Sequence, residues 1–413
     1  MPTAFVTLVL IGMFVVLIKQ WASPDITLFV TMAVFLLSGI ITIEEAFRGF
    51  SHVSVIIIAL LFIIGHSIYK TGILFFILQR CLQPNDRPAA LLCKIMTPVA
   101  FMSAFMNNTP IVSILTPELS HWAVKNNLPP SKLLIPLSYA AILGGTMTLY
   151  GSSTNLIVHG LLVENGHDGF SVFEFALIGI PLTLAGVLYM SLTGRKLLPS
   201  RRTRCSIKEN TAVKEKLSKR QRGIVFSIII IMIILVSLHL VSLVKAALAV
   251  VIILLVTKIL RMEEARKAVS GSVILIMASA IGIGTALENA GITAWITDMV
   301  LHSYPFIGLA GVTFLLYLAT MILTEISHNI AAAVLMFPVG LSVANLIGAD
   351  PELFAMTIAI SASCSFMTPI GYQTNIIVFE PGGYLFKDFS KVGFGLSLIC
   401  ALCTVGIVLL IWR

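Results

Sequence analysis

Four short polar strings break into apolar stretches of this chain. They are Asn107-Asn108-Thr109-Pro110, Gly151-Ser152-Ser153-Thr154-Asn155, Thr324-Glu325-Ile326-Ser327-His328-Asn329-Ile330 and Thr368-Pro369-Ile370-Gly371-Tyr372-Gln373-Thr374-Asn375. Hydroxyl and carboxamide side chains can donate to an anion, and hydroxyl, amide and backbone carbonyl oxygens suit Na+. Pro110 cannot continue a helical hydrogen-bond ladder, so the chain is expected to turn there and begin a new helix. The free N–H groups and positive end of that helix would face an anion at mid-membrane, with Asn108 and Thr109 adding side-chain donors. In the second and fourth strings small residues let carbonyls turn toward a cavity, and the helix after Asn155 or Asn375 again points donors inward. In the third, Glu325 and His328 stand three apart, on one face if the segment is helical. Ionisable groups at membrane depth are functional candidates, which makes this pair a candidate for proton coupling.

The second and fourth strings are copies. Residues 147–158 read MTLYGSSTNLIV and residues 367–378 read MTPIGYQTNIIV, identical at seven of twelve positions and 220 apart. Glu44-Glu45-Ala46 pairs with Glu263-Glu264-Ala265, Gly65 with Gly284, Gly72 with Gly291, Asn108 with Asn329 and Pro117 with Pro338, all at offsets of 219 to 221. Offsets that agree this closely describe one duplicated unit.

The elements that must position these strings follow from composition. The chain has 413 residues, 58% hydrophobic and 11% charged, with a mean hydropathy of +1.00. That is an all-α polytopic membrane protein embedded in a lipid bilayer. The first half (1–198) is expected to hold spans near 3–18, 25–41 and 53–69, an interrupted segment at about 89–122, a broken span at about 133–163 and a span at 172–194. The run at 3–18 lacks a basic flank and is expected to be a retained span. A basic cytoplasmic linker is expected at 199–222. The second half (223–413) repeats the pattern, with spans near 223–241, 244–259 and 270–287, an interrupted segment at about 305–346, a broken span at about 352–380 and a last span at 392–412. If each interrupted segment enters and returns on one side as a re-entrant hairpin, each half crosses five times. The halves are then inverted-topology repeats. Charge supports this count: with 195–222 inside, 24 of the 27 Lys and Arg fall inside, leaving Arg48, Lys245 and Arg413 outside. The excess of positive charge, +8, therefore marks a membrane side and not a nucleic-acid partner.

Other chemistry is not visible. No GxxxxGK[ST], HExxH or nucleophile elbow occurs, so neither an enzyme nor an ATP-driven pump is expected, and no cofactor. The six cysteines lack metal spacing; Cys400 and Cys403 form a CxxC inside an apolar span, and His52, His66, His159 and His239 are scattered.

The run at 368–393, TPIGYQTNIIVFEPGGYLFKDFSKVG, together with NNTP at 107–110 and GSSTN at 151–155, resembles the divalent anion:sodium symporter family of the wider ion transporter superfamily. The resemblance covers essentially the whole chain. It implies a homodimer in a bacterial inner membrane and an elevator motion of a transport domain against a scaffold. It also implies cargo such as sulfate or di- and tricarboxylates, with Na+ as the coupling ion. The family's hairpin motif is Ser-Asn-Thr; here Asn107-Asn108-Thr109 keeps the Asn and Thr, whereas His328-Asn329-Ile330 keeps only the Asn. The resemblance and the strings together assign Asn108, Thr109, Thr154, Asn155, Asn329, Thr374 and Asn375 to the anion. They assign Ser103, Asn107, Asn108, Gly151, Ser327, Asn329 and Gly371 to Na+. The expectation is Na+ symport of a small divalent oxyanion. The alternatives are proton-coupled transport or metalloid-oxyanion efflux through Glu325 and His328, and a passive anion channel built from half-helices.

Overall fold

The computed structural model describes residues 2–19, 21–51, 53–72, 87–201, 217–238 and 240–412. Most of the expected linker, 202–216, lies outside the described residues, as do Arg80, Cys81, His52 and His239. The first half runs α1 (Pro2–Lys19), α2 (Pro24–Leu37), α3 (Ile43–Phe47), α4 (Val53–Lys70), α5 (Pro88–Ser103), α6 (Asn108–Lys125), α7 (Leu134–Gly145), α8 (Ser153–Glu164) and α9 (Ala176–Tyr189). The second runs α10 (Lys219–Ser237), α11 (Leu243–Val256), α12 (Met262–Ala268), α13 (Gly271–Asn289), α14 (Ile292–Ile326), α15 (Asn329–Ile347), α16 (Pro351–Ser363), α17 (Gln373–Phe379) and α18 (Phe386–Ile411). Among the described residues there is no strand.

Among the described residues six helical stretches are long and apolar enough to cross a bilayer, among them Gly271–Asn289, Asn329–Ile347 and Phe386–Ile411. Their outer faces carry bare apolar side chains such as Phe306, Leu398 and Leu410, the surface a lipid solvent requires. All four polar strings fall where helices stop and restart. α5 gives way to α6 at 104–107, α7 to α8 at 146–152, α14 to α15 at 327–328, and α16 to α17 at 364–372.

The repeated Glu-Glu-Ala strings start two short helices. Glu45 Oε2 accepts from the backbone N–H of Thr42 and Glu264 Oε2 from that of Arg261, both at 2.7 Å. Each carboxylate closes the first turn of its helix, and Ala46 and Ala265 are buried behind it. Lys70 Nζ then ties the end of α4 to Glu264 at 2.7 Å. Burial works to raise the Glu264 carboxyl, but the Arg261 N–H and Lys70 outweigh it and hold it below the ordinary glutamate range. This tie therefore contributes at neutral pH and is lost as pH falls.

α14 is two helices joined at Gly308, whose φ of 60° and ψ of −173° lie in territory essentially closed to side chains. Gly308→Ala is expected to destabilise the protein by about 1–3 kcal/mol, read as a lower unfolding midpoint in detergent.

The two halves exchange their second half-helices. α8 packs on α15 and α16, and α17 packs on α6 and α7. Each break is thus seated against the interrupted segment of the other half.

Candidate functional site

The first and second halves build their breaks with the same hydrogen bonds. Ser103 Oγ donates to Ala141 O, and Thr324 Oγ1 donates to Ala362 O, both at 2.8 Å. Thr148 Oγ1 donates to Ala104 O, and Thr368 Oγ1 to Glu325 O. The same hydroxyls accept the N–H of Gly151 and of Gly371, each at 3.2 Å. Asn155 Nδ2 donates to Gly145 O and Thr148 O at 3.1 and 2.9 Å; Asn375 Nδ2 donates to Ser365 O and Thr368 O at 3.0 and 3.1 Å. A carboxamide with two N–H groups is the side chain that can hold two stray carbonyls at once.

Between these parts lies a cavity of about 440 Å³. Its floor is the two interrupted segments and the restart of the broken helices, including Asn107, Thr109, Ser153, His328, Asn329, Tyr372 and Gln373. Its walls come from α4, α10 and the starts of α2 and α13. Among the described residues no Lys or Arg lines it, and Asp25 is the one carboxylate.

The contacts at the floor cross between halves. Thr109 Oγ1 donates to Gln373 Oε1 at 3.0 Å. Asn329 Nδ2 donates to Thr154 Oγ1 at 2.8 Å. Tyr372 Oη stands 2.7 Å from the Asn108 amide and 3.4 Å from Ser152 Oγ. With the Asn108 oxygen accepting from Tyr372, its nitrogen can donate to Ala141 O at 3.1 Å and Gly151 O at 3.2 Å while resting on Ser103 Oγ. That orientation satisfies both ends of the amide.

Of the residues assigned to the anion from sequence, Thr109 and Asn329 line the cavity. Asn108, Thr154, Asn155, Thr374 and Asn375 are buried and bonded to protein; Ser138 Oγ, for example, bridges Thr374 and Asn375 at 2.9 and 2.7 Å. Of those assigned to Na+, Asn107 and Asn329 reach the cavity, whereas Ser103, Gly151 and Gly371 sit in the packed break behind it. Ser327 Oγ donates back to Leu323 O at 2.7 Å. Sequence reasoning passed over Ser153, Tyr372, Gln373 and Asp25 as cavity residues; the first three lie inside the quoted strings, where each polar type was itself a signal.

Two expectations change. Three of the restarting helices already have caps: Asn107 Oδ1 accepts from the Thr109 N–H at 3.3 Å, Ser152 Oγ from that of Thr154 at 3.3 Å, and His328 Nδ1 from that of Ile330 at 3.4 Å. Fewer bare N–H groups therefore face the cavity than a helix start alone implies. Glu325 and His328 do not share a helix face, because α14 ends at Ile326 and Ser327 is extended. Glu325 Oε1 accepts from the N–H groups of Phe366 and Met367 at 2.8 and 2.9 Å, holding the break of its own half, while His328 caps α15.

The chain resembles proteins from several lineages. An uncharacterized transporter of Synechocystis is 25% identical, over 98% of this chain and 96% of its own length. A sodium/sulfate cotransporter of Chlamydomonas reinhardtii is 36% identical over 201 residues, 46% of this chain and 23% of that protein. Two solved structures share the fold at 13% identity. The YdaH transporter of Alcanivorax borkumensis has a TM-score of 0.64 over 88% of this chain and 85% of its own. The Neisseria gonorrhoeae efflux pump MtrF has 0.58 over 92% and 84%. All four of these proteins are named as transporters or efflux pumps, not as enzymes. A family model described as a citrate transporter matches residues 13–360, and this integral membrane chain belongs to that citrate transporter family, within the ion transporter superfamily.

Proposed function

We propose that the protein is a secondary active transporter that carries a small divalent oxyanion, sulfate or a di- or tricarboxylate, by Na+ symport. The observation that carries this reading is the crossed floor of the cavity. Two interrupted segments and two broken helices, one of each from either half, meet at one 440 Å³ chamber through neutral donors. The sodium/sulfate cotransporters among the relatives favour sulfate; the family model's name keeps citrate in view.

The halves are inverted repeats with re-entrant hairpins at α5–α6 and α14–α15. Long-range ties support this, because they join ends that the basic-residue count assigns to the same side. Lys70 meets Glu264, and Lys132 Nζ meets Leu198 O at 2.6 Å, on the inside. Arg48 meets Glu164 at 3.4 Å, and Trp412 Nε1 meets Glu352 at 3.2 Å, on the outside. The starts of α2 and α13 wall the cavity on the inner side, so this conformation faces the cytoplasm. α2, α4, α10 and α13 form the scaffold against which the hairpins and breaks move as an elevator. Thr109 and Asn329 contact the anion. Asn107, Asn108, Ser103 and Gly151 on one side, and Asn329, Ser327 and Gly371 on the other, surround the Na+ positions.

Radiolabelled sulfate, succinate and citrate uptake into proteoliposomes tests this. Sulfate uptake is expected to rise at least about tenfold under an inward Na+ gradient, a factor worth about 1.4 kcal/mol. Uptake of all three that ignores Na+ removes the symport, and uptake that never exceeds the outside concentration points to a channel.

A further inference from the structure

We propose that Gln373 is the specificity-determining residue of the anion seat, reading the anion through its neutral carboxamide. The inference rests on the proposed function and deepens it.

Gln373 is exposed to the cavity at the start of α17. Its Oε1 accepts from Thr109 Oγ1 at 3.0 Å, although the two residues stand 264 positions apart. No symmetric counterpart of this pair exists. Position 330 of the second hairpin is Ile, with no hydroxyl to donate, and position 153 of the first break is Ser, too short to carry a carboxamide across. The neighbouring position repeats the asymmetry: Tyr372 stands where the first half has Ser152, and its phenol bonds Asn108 at the tip of the first hairpin. The duplicated unit has thus been altered at two adjacent positions, and both alterations converge on Asn108 and Thr109.

The chemistry of the contact points to a ligand. Gln373 Oε1 occupies the Thr109 hydroxyl as an oxyanion's oxygen would, as an acceptor on a donor. The amide nitrogen of Gln373 has no hydrogen-bond partner among the described residues. When an anion takes over the Thr109 hydroxyl, the carboxamide can turn and donate Nε2–H to the same anion. One side chain then serves Thr109 in the empty seat and the anion in the filled one, while its other amide atom faces the open cavity in each state. Because no Lys or Arg among the described residues lines the cavity, none of them cancels a charge placed at position 373. A glutamate there keeps the bond to Thr109 but sets like charge against the anion, which at about 4 Å reduces binding by at least about 100-fold.

The experiment measures KM and Vmax for Na+-driven sulfate uptake in proteoliposomes, normalised to inserted protein. Gln373→Glu is expected to raise KM at least about 100-fold, and Gln373→Ala about tenfold, the worth of one hydrogen bond to a charged group. Adding Thr109→Val to Gln373→Ala should raise KM by about a further tenfold, because in the filled seat Thr109 Oγ1 and Gln373 Nε2 each donate a hydrogen bond to the anion. A merely structural Gln373 gives lower Vmax or poorer insertion at unchanged KM. Wild-type KM in Gln373→Glu overturns the proposal; if that variant fails to insert, wild-type KM in Gln373→Ala overturns it. A wild-type protein that moves no oxyanion removes this inference together with the proposed function, whereas wild-type uptake with an indifferent Gln373→Glu removes this inference alone.

Discussion

Gly151→Ala and Gly371→Ala are each expected to cut Na+-driven uptake more than about tenfold and to lower the unfolding midpoint, at a cost of about 1–3 kcal/mol apiece. A methyl group on Gly151 would lie 2.6 Å from Gly145 O and 2.9 Å from Ser103 O. On Gly371 it would lie 2.5 Å from Thr324 O and meet Ser365 Oγ and the Glu325 Cα as well. Most of these obstacles are backbone, and backbone cannot rotate aside as a side chain can. The helix end bearing Ser103 or Thr324 would have to separate from the break, and with it the polar positions that the proposed function gives to Na+. Gly406→Ala is the control: nothing lies within 4 Å of its added carbon, so uptake should stay at the wild-type value and the midpoint should not fall. Wild-type uptake in both break variants would show that the close approach has no bearing on transport.

Asn155→Leu and Asn375→Leu are expected to destabilise more severely, by about 2–6 kcal/mol, because each leaves two buried carbonyls without a donor at about 1–3 kcal/mol each. Both side chains are fully buried, so water cannot step in. The two sites differ in one respect. Asn375 Oδ1 also accepts from Ser138 Oγ at 2.7 Å, whereas Asn155 Oδ1 has no partner, since the position that answers to Ser138 is Ile358. Asn375→Leu therefore also removes one of the two partners of the Ser138 hydroxyl, leaving it Thr374 Oγ1 at 2.9 Å, and should be the worse of the pair. Midpoints measured in the same detergent, with yield of folded protein, decide this. Equal and small losses at both positions would mean that the breaks find other donors.

Much of the architecture was legible in the residues themselves. The helix limits follow from apolar runs that end at Pro, Gly or paired polar residues: Pro110 two residues into α6, Gly151 just before α8, and Pro369 and Gly371 between α16 and α17. The Glu-Glu-Ala echo was legible as a repeat but not as a helix start, because the acceptor role of Glu45 and Glu264 depends on backbone N–H groups three residues earlier. The joint at Gly308 was invisible, since one glycine among Phe306, Ile307 and Leu309 carries no periodic signal. The site was legible as a set of residue types and not as a set of contacts. Asn155 and Asn375 were placed at the anion because they are polar in hydrocarbon; the backbone around them turned out to need them first. Glu325 was read against His328, three residues away, and instead serves Phe366 and Met367, 41 and 42 positions on. Local spacing says nothing about such partners.

The crossed floor also sets a timetable for synthesis. Asn108 and Thr109 enter the membrane long before Tyr372 and Gln373, their partners 264 positions later, exist. At roughly 5–20 residues per second, the α5–α6 segment waits about 13–50 s for them. During that interval its amide and hydroxyl must be served by water, lipid headgroups or the insertion machinery. Replacing Asn108 or Thr109 with apolar residues should therefore ease early insertion even as it damages the finished site. A chain truncated before 372 should be a target for membrane quality control, not a half-active carrier.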